Sequence, residues 1–205
     1  MVNNDIEIIE KINCYDGFFK LVRYRLKHTL FDGGWSGELF REVLERGHAA
    51  AVLPYDPVNE QVVMIEQFRP GAIGHSHGAW LWEIVAGILE SGEAPSEVVY
   101  REAVEETGCP VSDVIPICDF FVSPGSTSET TALFCGRVDA SQANGIHGVV
   151  SENEDIKVHV VSLDNALDML QTGKIRFAPA IIALQWLALH RDEVKTRWGI
   201  KENEL

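Results

Sequence analysis

From Asp5 to Val85 the chain reads mostly as strands, and one run there alternates apolar and polar positions with a period of two, the spacing of a strand that buries one face. Phe18, Val22, Tyr24 and Leu26 fall on one face of such a run, and Arg23, Arg25 and Lys27 on the other. Asp32-Gly33-Gly34 supplies turn residues before a second run at Leu39–Leu44. The runs His48–Leu53 and Gln61–Phe68 flank Asp56-Pro57-Val58-Asn59, which predicts a hairpin. Trp80–Val85 reads as one more short strand, ending at Ala86-Gly87.

After Glu93 the period changes. Pro95 suits a first helical turn, the run to Thr107 holds no other breaker, and Gly108 before Cys109-Pro110 is a stop signal. A helix is predicted from about Ala94 to Thr107. Strand patterns resume at Val114–Val122, Thr130–Val138 and Ile156–Val161, with a turn at Ser123-Pro124-Gly125-Ser126. The stretch between Asp139 and Asp155 is too long for a mere connector, which makes it a functional candidate. Two helices close the chain. Ser162 can cap the first and Gly173 ends it, while the second carries Ile181, Ile182, Leu184, Trp186 and Leu187 as a broad apolar face. Strands, helix, strands, helices in that order predict an α+β sandwich, not a regular βαβ series.

Composition narrows the function classes. A chain of 205 residues can bury a sizeable core, and no apolar run approaches the ~18 residues of a membrane span. The first residues lack the basic and apolar regions of a signal peptide. The four cysteines form no CxxC pair, so a reducing, cytoplasmic setting is expected. The seven histidines show no metal-binding spacing, and zinc is not expected. A net charge of -14 argues against nucleic acid or anionic membrane as partner. If the substrate is a phosphate ester, cations must stand between it and so acidic a protein.

The helix supplies a place for them. Glu102, Glu105 and Glu106 fall at i, i+3 and i+4, on one helical face, where each like-charge pair costs about 0.2–0.5 kcal/mol. A hard divalent cation resolves that repulsion. A solvated acidic face is the alternative, and the surroundings decide against it. Gly87, Glu93, Arg101, Glu102, Glu105, Glu106 and Gly108 satisfy G-x5-E-x7-R-E-U-x-E-E-x-G-U, with Ala103 and Cys109 at the apolar U positions. Glu93 is placed to pair with Arg101 and hold the preceding loop against the helix.

This pattern resembles the box of the Nudix hydrolases, which cleave nucleoside diphosphates linked to another moiety. Glu45-Arg46-Gly47-His48-Ala49-Ala50, Glu66-Gln67-Phe68-Arg69, Ser123-Pro124-Gly125 and Glu152-Asn153-Glu154-Asp155-Ile156 further resemble bacterial ADP-ribose pyrophosphatases, and the likeness runs from about Ile6 to Trp186. The resemblance implies a Nudix fold: a mixed sheet between helices with an N-terminal antiparallel lobe. It implies a division into 1–46, a β lobe used in dimerisation, and 47–205, the catalytic domain. The implied reaction is Mg²⁺-dependent hydrolysis of ADP-ribose to AMP and ribose 5-phosphate, with Mn²⁺ as a substitute.

Carried over by position, the resemblance assigns metal binding to Glu102, Glu105, Glu106, Glu154 and the carbonyl of Ala86, and the general base to Glu152. Substrate contacts fall on Arg46, Arg69, Glu129 and the backbone of Ile88. Phe18, Phe19, Arg41 and Glu42, with Ser123, Pro124 and Gly125, reach the substrate from a neighbouring subunit, which implies a homodimer with exchanged N-terminal regions. His147 is expected to position the loop that carries Glu152 and Glu154. The segments His75-Ser76-His77 and Trp35-Ser36-Gly37 match no family pattern. Two alternatives stand beside this reading. One is a Nudix enzyme for another nucleoside diphosphate sugar, such as GDP-mannose. The other is a non-catalytic module that senses ADP-ribose, against which the intact glutamates weigh.

Overall fold

The computed structural model describes residues 5–149, 151 and 153–200. Two compact units are drawn from it, one from Met1–His48 with Phe121–Thr130, the other from Ala49–Phe120 with Thr131–Leu205.

In the first unit, β1 (Ile6–Asp16), β2 (Lys20–His28) and β3 (Leu39–Glu45) form an antiparallel sheet in the order β1-β2-β3. The alternation seen in the sequence survives in β2 only at Val22, buried, and Arg23, exposed; Tyr24, Arg25, Leu26 and Lys27 are all half-buried, and Phe18 lies before the strand, exposed. The turn at 123–126 closes with Ser126 N–H donating to Ser123 O, and Thr127 Oγ1 donates to Leu44 O, which ties this segment to the end of β3.

The second unit is built on the strands β4 (Ala49–Asp56), β5 (Gln61–Phe68), β6 (Trp80–Glu83), β7 (Val85–Ile88), β8 (Asp113–Phe121), β9 (Thr130–Arg137), β10 (Ile146–His147) and β11 (Ile156–Ser162). Their order is β10-β11-β5-β4-β9-β8, with β4 and β9 parallel. The expected hairpin joins β4 to β5, and Asp56 Oδ1 accepts from the N–H groups of Val58 and Asn59. Those two strands pair only beside the turn, at Tyr55↔Val62 and Asp56↔Gln61. Beyond it they part, and the Trp80–Ile88 segment fills the gap. It therefore breaks at Ile84 into two strands where the sequence suggested one, β6 pairing with β5 and β7 with β4.

Period two sorts the core. Ala51, Leu53, Tyr55, Val62 and Met64 pack on one face of the sheet, Ala50, Val52 and Val63 on the other. Helix α1 (Pro95–Thr107) covers the second face with Val98, Val99 and Ala103. Helices α2 (Leu163–Gln171) and α3 (Ala178–Arg197) cover the first, where Leu163, Leu184 and Leu187 are fully buried at about 1.5–3 kcal/mol each. Ser162 caps α2 as expected, its hydroxyl accepting from Asn165 N–H at 3.2 Å. The mixed sheet between helices and the separate antiparallel sheet bear out the predicted fold class. No helix among the described residues is long and apolar enough to cross a membrane.

Candidate active site

Helix α1 begins with Pro95 at its first turn, and Glu97 Oε2 reaches back to accept from Ala94 N–H at 2.8 Å. It ends at Gly108, whose φ of 65° is the left-handed conformation that glycine adopts without strain. Between these ends, Val98, Val99 and Ala103 bury one face, and Glu102, Glu105 and Glu106 occupy the adjoining one. Their exposure is graded: Glu106 is buried (5 %), Glu102 is mostly buried, and Glu105 is open to solvent.

Arg101 organises this face. Its Nη1 donates to Glu102 Oε1 at 2.7 Å and to Glu105 Oε2 at 3.3 Å, and its Nε pairs with Glu93 Oε1 at 3.3 Å. The Glu93–Arg101 pair expected from the sequence is thus present, and Glu93 also accepts from Glu90 N–H. Arg101 thus holds three of the box carboxylates, and no three His, Cys, Asp or Glu side chains among the described residues are grouped as a metal cage.

Glu106 tests whether the residues suit a cation. Its carboxyl accepts one hydrogen bond, from Ala86 N–H at 3.2 Å. Burial first, then the charge of Glu102, raises its pKa well above the ordinary carboxylate range; Ala86 N–H and Arg69 oppose this, and Glu154 adds to it. Burial also raises Glu102, against the opposing pull of Arg101. Buried carboxylates that repel one another so strongly gain most from a divalent cation with oxygen ligands. The donor set fits.

The sheet brings Ala86 to this face. It lies on β7 opposite Ala51, one residue before Gly87, the first glycine of the box. A Cβ on Gly87 would fall within 2.5 Å of Glu102 Cγ and onto its carboxyl group, so a side chain there would push the Glu102 carboxylate aside. Ile88 ends β7 with its side chain partly exposed. Arg69 follows β5, and its guanidinium is tied to Glu83 of β6 through Nε (3.0 Å to Oε1) and Nη2 (2.8 Å to Oε2). Glu83 is fully buried and was not among the residues singled out from sequence. The available signal was a lone carboxylate inside the apolar run Trp80-Leu81-Trp82-Glu83-Ile84-Val85.

The segment after β9 has more order than a bare loop. It holds a short 3-10 turn at Ala140–Gln142 and the strand β10, where His147 pairs with Ile156. The His147 ring packs on Gly108 at the end of α1, and its Nε2 lies 2.6 Å from Asn144 O. Glu154 Oε2 accepts from Val149 N–H at 3.1 Å. Glu152 lies outside the described residues.

In the first unit, Phe18 is strongly exposed (87 %) and meets Phe19 edge to face at 4.8 Å. Arg46 lies 5.0 Å from the Phe19 ring centre and pairs with the buried Glu129 at 3.3 Å. Ser123, Pro124 and Gly125 form the exposed turn that precedes Glu129. Arg41 and Glu42 are exposed on β3, and Arg41 donates to the adjacent Phe40 O.

Comparison with known proteins places this arrangement. Residues 45–181 match the NUDIX domain model. The chain is 50% identical over 196 residues to ADP-ribose pyrophosphatase of Escherichia coli (strain K12), covering 96% of this chain and 94% of that one. It is 35% identical over 191 residues to GDP-mannose pyrophosphatase of Enterobacter sp. (strain 638), covering 90% and 95%. A crystal structure of an ADP compounds hydrolase superposes with a TM-score of 0.70 at 17% identity, covering 97% of this chain and 98% of that one; this likeness concerns the fold. Nudix hydrolases generally use a divalent metal, in keeping with the acidic face of α1. The chain belongs to the Nudix family.

Proposed function

We propose that this protein is an ADP-ribose pyrophosphatase, hydrolysing the diphosphate bond of ADP-ribose to AMP and ribose 5-phosphate. The observation that carries the reading is an intact box laid on α1 in a chain whose likeness to an ADP-ribose pyrophosphatase extends over nearly all of both proteins. Likeness to the GDP-mannose enzyme is lower over a similar span.

Glu102, Glu105, Glu106, Glu154 and the Ala86 carbonyl would hold the cation, Mg²⁺ or in its place Mn²⁺. Such a cation neutralises the diphosphate and acidifies a water molecule. Glu152 accepts the proton of the attacking water as general base. The water oxygen bonds to one phosphorus, the bridging P–O bond breaks, and the other phosphate departs with the bridging oxygen. Arg69 binds phosphate oxygens, for which a planar guanidinium is suited. Arg46, Glu129 and Ile88 border the substrate.

Phe18 and Phe19, Arg41 and Glu42, and Ser123, Pro124 and Gly125 serve the site of a second copy in a homodimer. Supporting this, the first unit leaves Ile6, Ile8, Phe18 and Phe40 largely exposed, apolar side chains that a partner surface would cover. Sedimentation as a fully active monomer would remove this part of the reading. A cytoplasmic setting agrees with four free thiols.

A panel of nucleoside diphosphate derivatives with Mg²⁺, with products separated by chromatography, tests the substrate. The expected result is AMP and ribose 5-phosphate from ADP-ribose, with little turnover of GDP-mannose. Preference for GDP-mannose would overturn it.

A further inference from the structure

Outside the box, a second carboxylate is buried beside the site. Glu83 is buried, although it carries an ionisable group, and stands opposite Ile65 of β5. Both of its oxygens accept from Arg69: Nε lies 3.0 and 3.2 Å from Oε1 and Oε2, and Nη2 lies 2.8 Å from Oε2. Arg69 is fixed at its backbone as well, its N–H donating to Ala79 O at 2.8 Å. The two ends of the pair differ in access. The Glu83 side chain is 1% exposed and that of Arg69 41%.

A guanidinium is a rigid fork with five N–H donors. Glu83 occupies the Nε–Nη2 edge, so Nη1 and the remaining Nη2 proton point away from the buried carboxylate. An arginine free to rotate would have a competing choice nearby. Arg69 lies within electrostatic reach of Glu106 and Glu154, two of the candidate metal ligands. Glu83 supplies a fixed counter-charge on the opposite edge of the guanidinium.

We propose that Glu83 is a positioning residue, holding one edge of Arg69 so that its other edge is set to bind the diphosphate of the substrate. The inference rests on the assignment of Arg69 to the substrate made above. Glu83 itself touches neither substrate nor cation.

The test compares Glu83→Gln, Arg69→Ala and the double variant. Two readouts are used: steady-state kinetics on ADP-ribose, and calorimetric binding of its non-hydrolysable α,β-methylene analogue. Gln keeps the size of the side chain but offers an NH₂ group to the fork where an oxygen stood. Glu83→Gln is expected to raise KM and weaken analogue binding about tenfold, with kcat within about threefold of the parent. Arg69→Ala should do at least as much, and the double variant should lose nothing beyond Arg69→Ala, since Glu83 then has no arginine to hold. Glu83→Asp, which retains the charge but withdraws it by one methylene, should fall between parent and Glu83→Gln, and it serves if the Gln variant does not fold. Parent-like binding in a folded Glu83→Gln, or losses that multiply in the double variant, would overturn the proposal while leaving Arg69 as a substrate contact. Unchanged binding in Arg69→Ala would instead overturn the assignment of Arg69 and the proposal with it.

Discussion

Gly87 and Glu102 occupy one volume of space, the carboxyl of Glu102 lying where a side chain on Gly87 would begin. The first glycine of the box is therefore a packing partner of Glu102. Adding a methyl group at Gly87 must displace a metal-ligand candidate without removing any ligand. Gly87→Ala is expected to weaken Mg²⁺ binding roughly 10- to 100-fold, the usual effect of disturbing a group that orients a ligand. Calorimetric titration of the metal checks this, and an isotherm like that of the parent would exclude it.

The other end of the box meets the segment that follows β9. Gly108 has a left-handed backbone, and a Cβ there would lie 2.8 Å from His147 Cε1. Gly108→Ala should cost roughly 1–2 kcal/mol from the backbone, with a further cost from the imidazole contact. Urea denaturation of Gly108→Ala with and without His147→Ala separates the two. Equal destabilisation in both backgrounds would mean that the ring does not exclude the methyl.

Glu152→Gln tests the base. The substitution removes a proton acceptor without altering size, so kcat should fall by at least about 100-fold while the melting temperature and metal titration stay those of the parent. Near-parental turnover would take Glu152 out of that role.

The metal-free protein should lose stability as pH rises. Burial raises Glu106 well above its ordinary value of 4.5 and raises Glu102 as well, so the folded chain holds these protons more tightly than the unfolded one. Their contribution is full below the unfolded carboxylate pKa and is lost as pH climbs through the raised folded values. In a chelating buffer the melting temperature should therefore decline from about pH 5 upward. Glu106→Gln should flatten that decline, and Mg²⁺ should restore stability at neutral pH by binding only the folded state. A melting temperature that rises with pH in chelator, unaltered by Glu106→Gln, would contradict this account.

Much of the protein was legible in its residues because the relevant rules are local. Period-two alternation marked β2, the turn residues Asp56-Pro57-Val58-Asn59 marked the β4–β5 hairpin, and Pro95 and Gly108 bracketed α1. Helical geometry alone put Glu102, Glu105 and Glu106 on one face. Their spacing, with Gly87 and Arg101, was enough to identify the family. Other features depend on segments distant in sequence. The Trp80–Ile88 run breaks at Ile84 because β4 and β5 diverge and each takes half of it, which no pattern within the run expresses. Glu83 finds Arg69 fourteen residues away, and Gly108 finds the ring of His147, only because the sheet and the end of α1 bring them together. The sequence by itself determined which residues carry charge and on which helical face they stand. Tertiary packing decided which carboxylates are buried, which are held by arginine, and which glycine lies against a carboxylate, because desolvation and steric crowding are set by neighbours that the chain reaches only on folding.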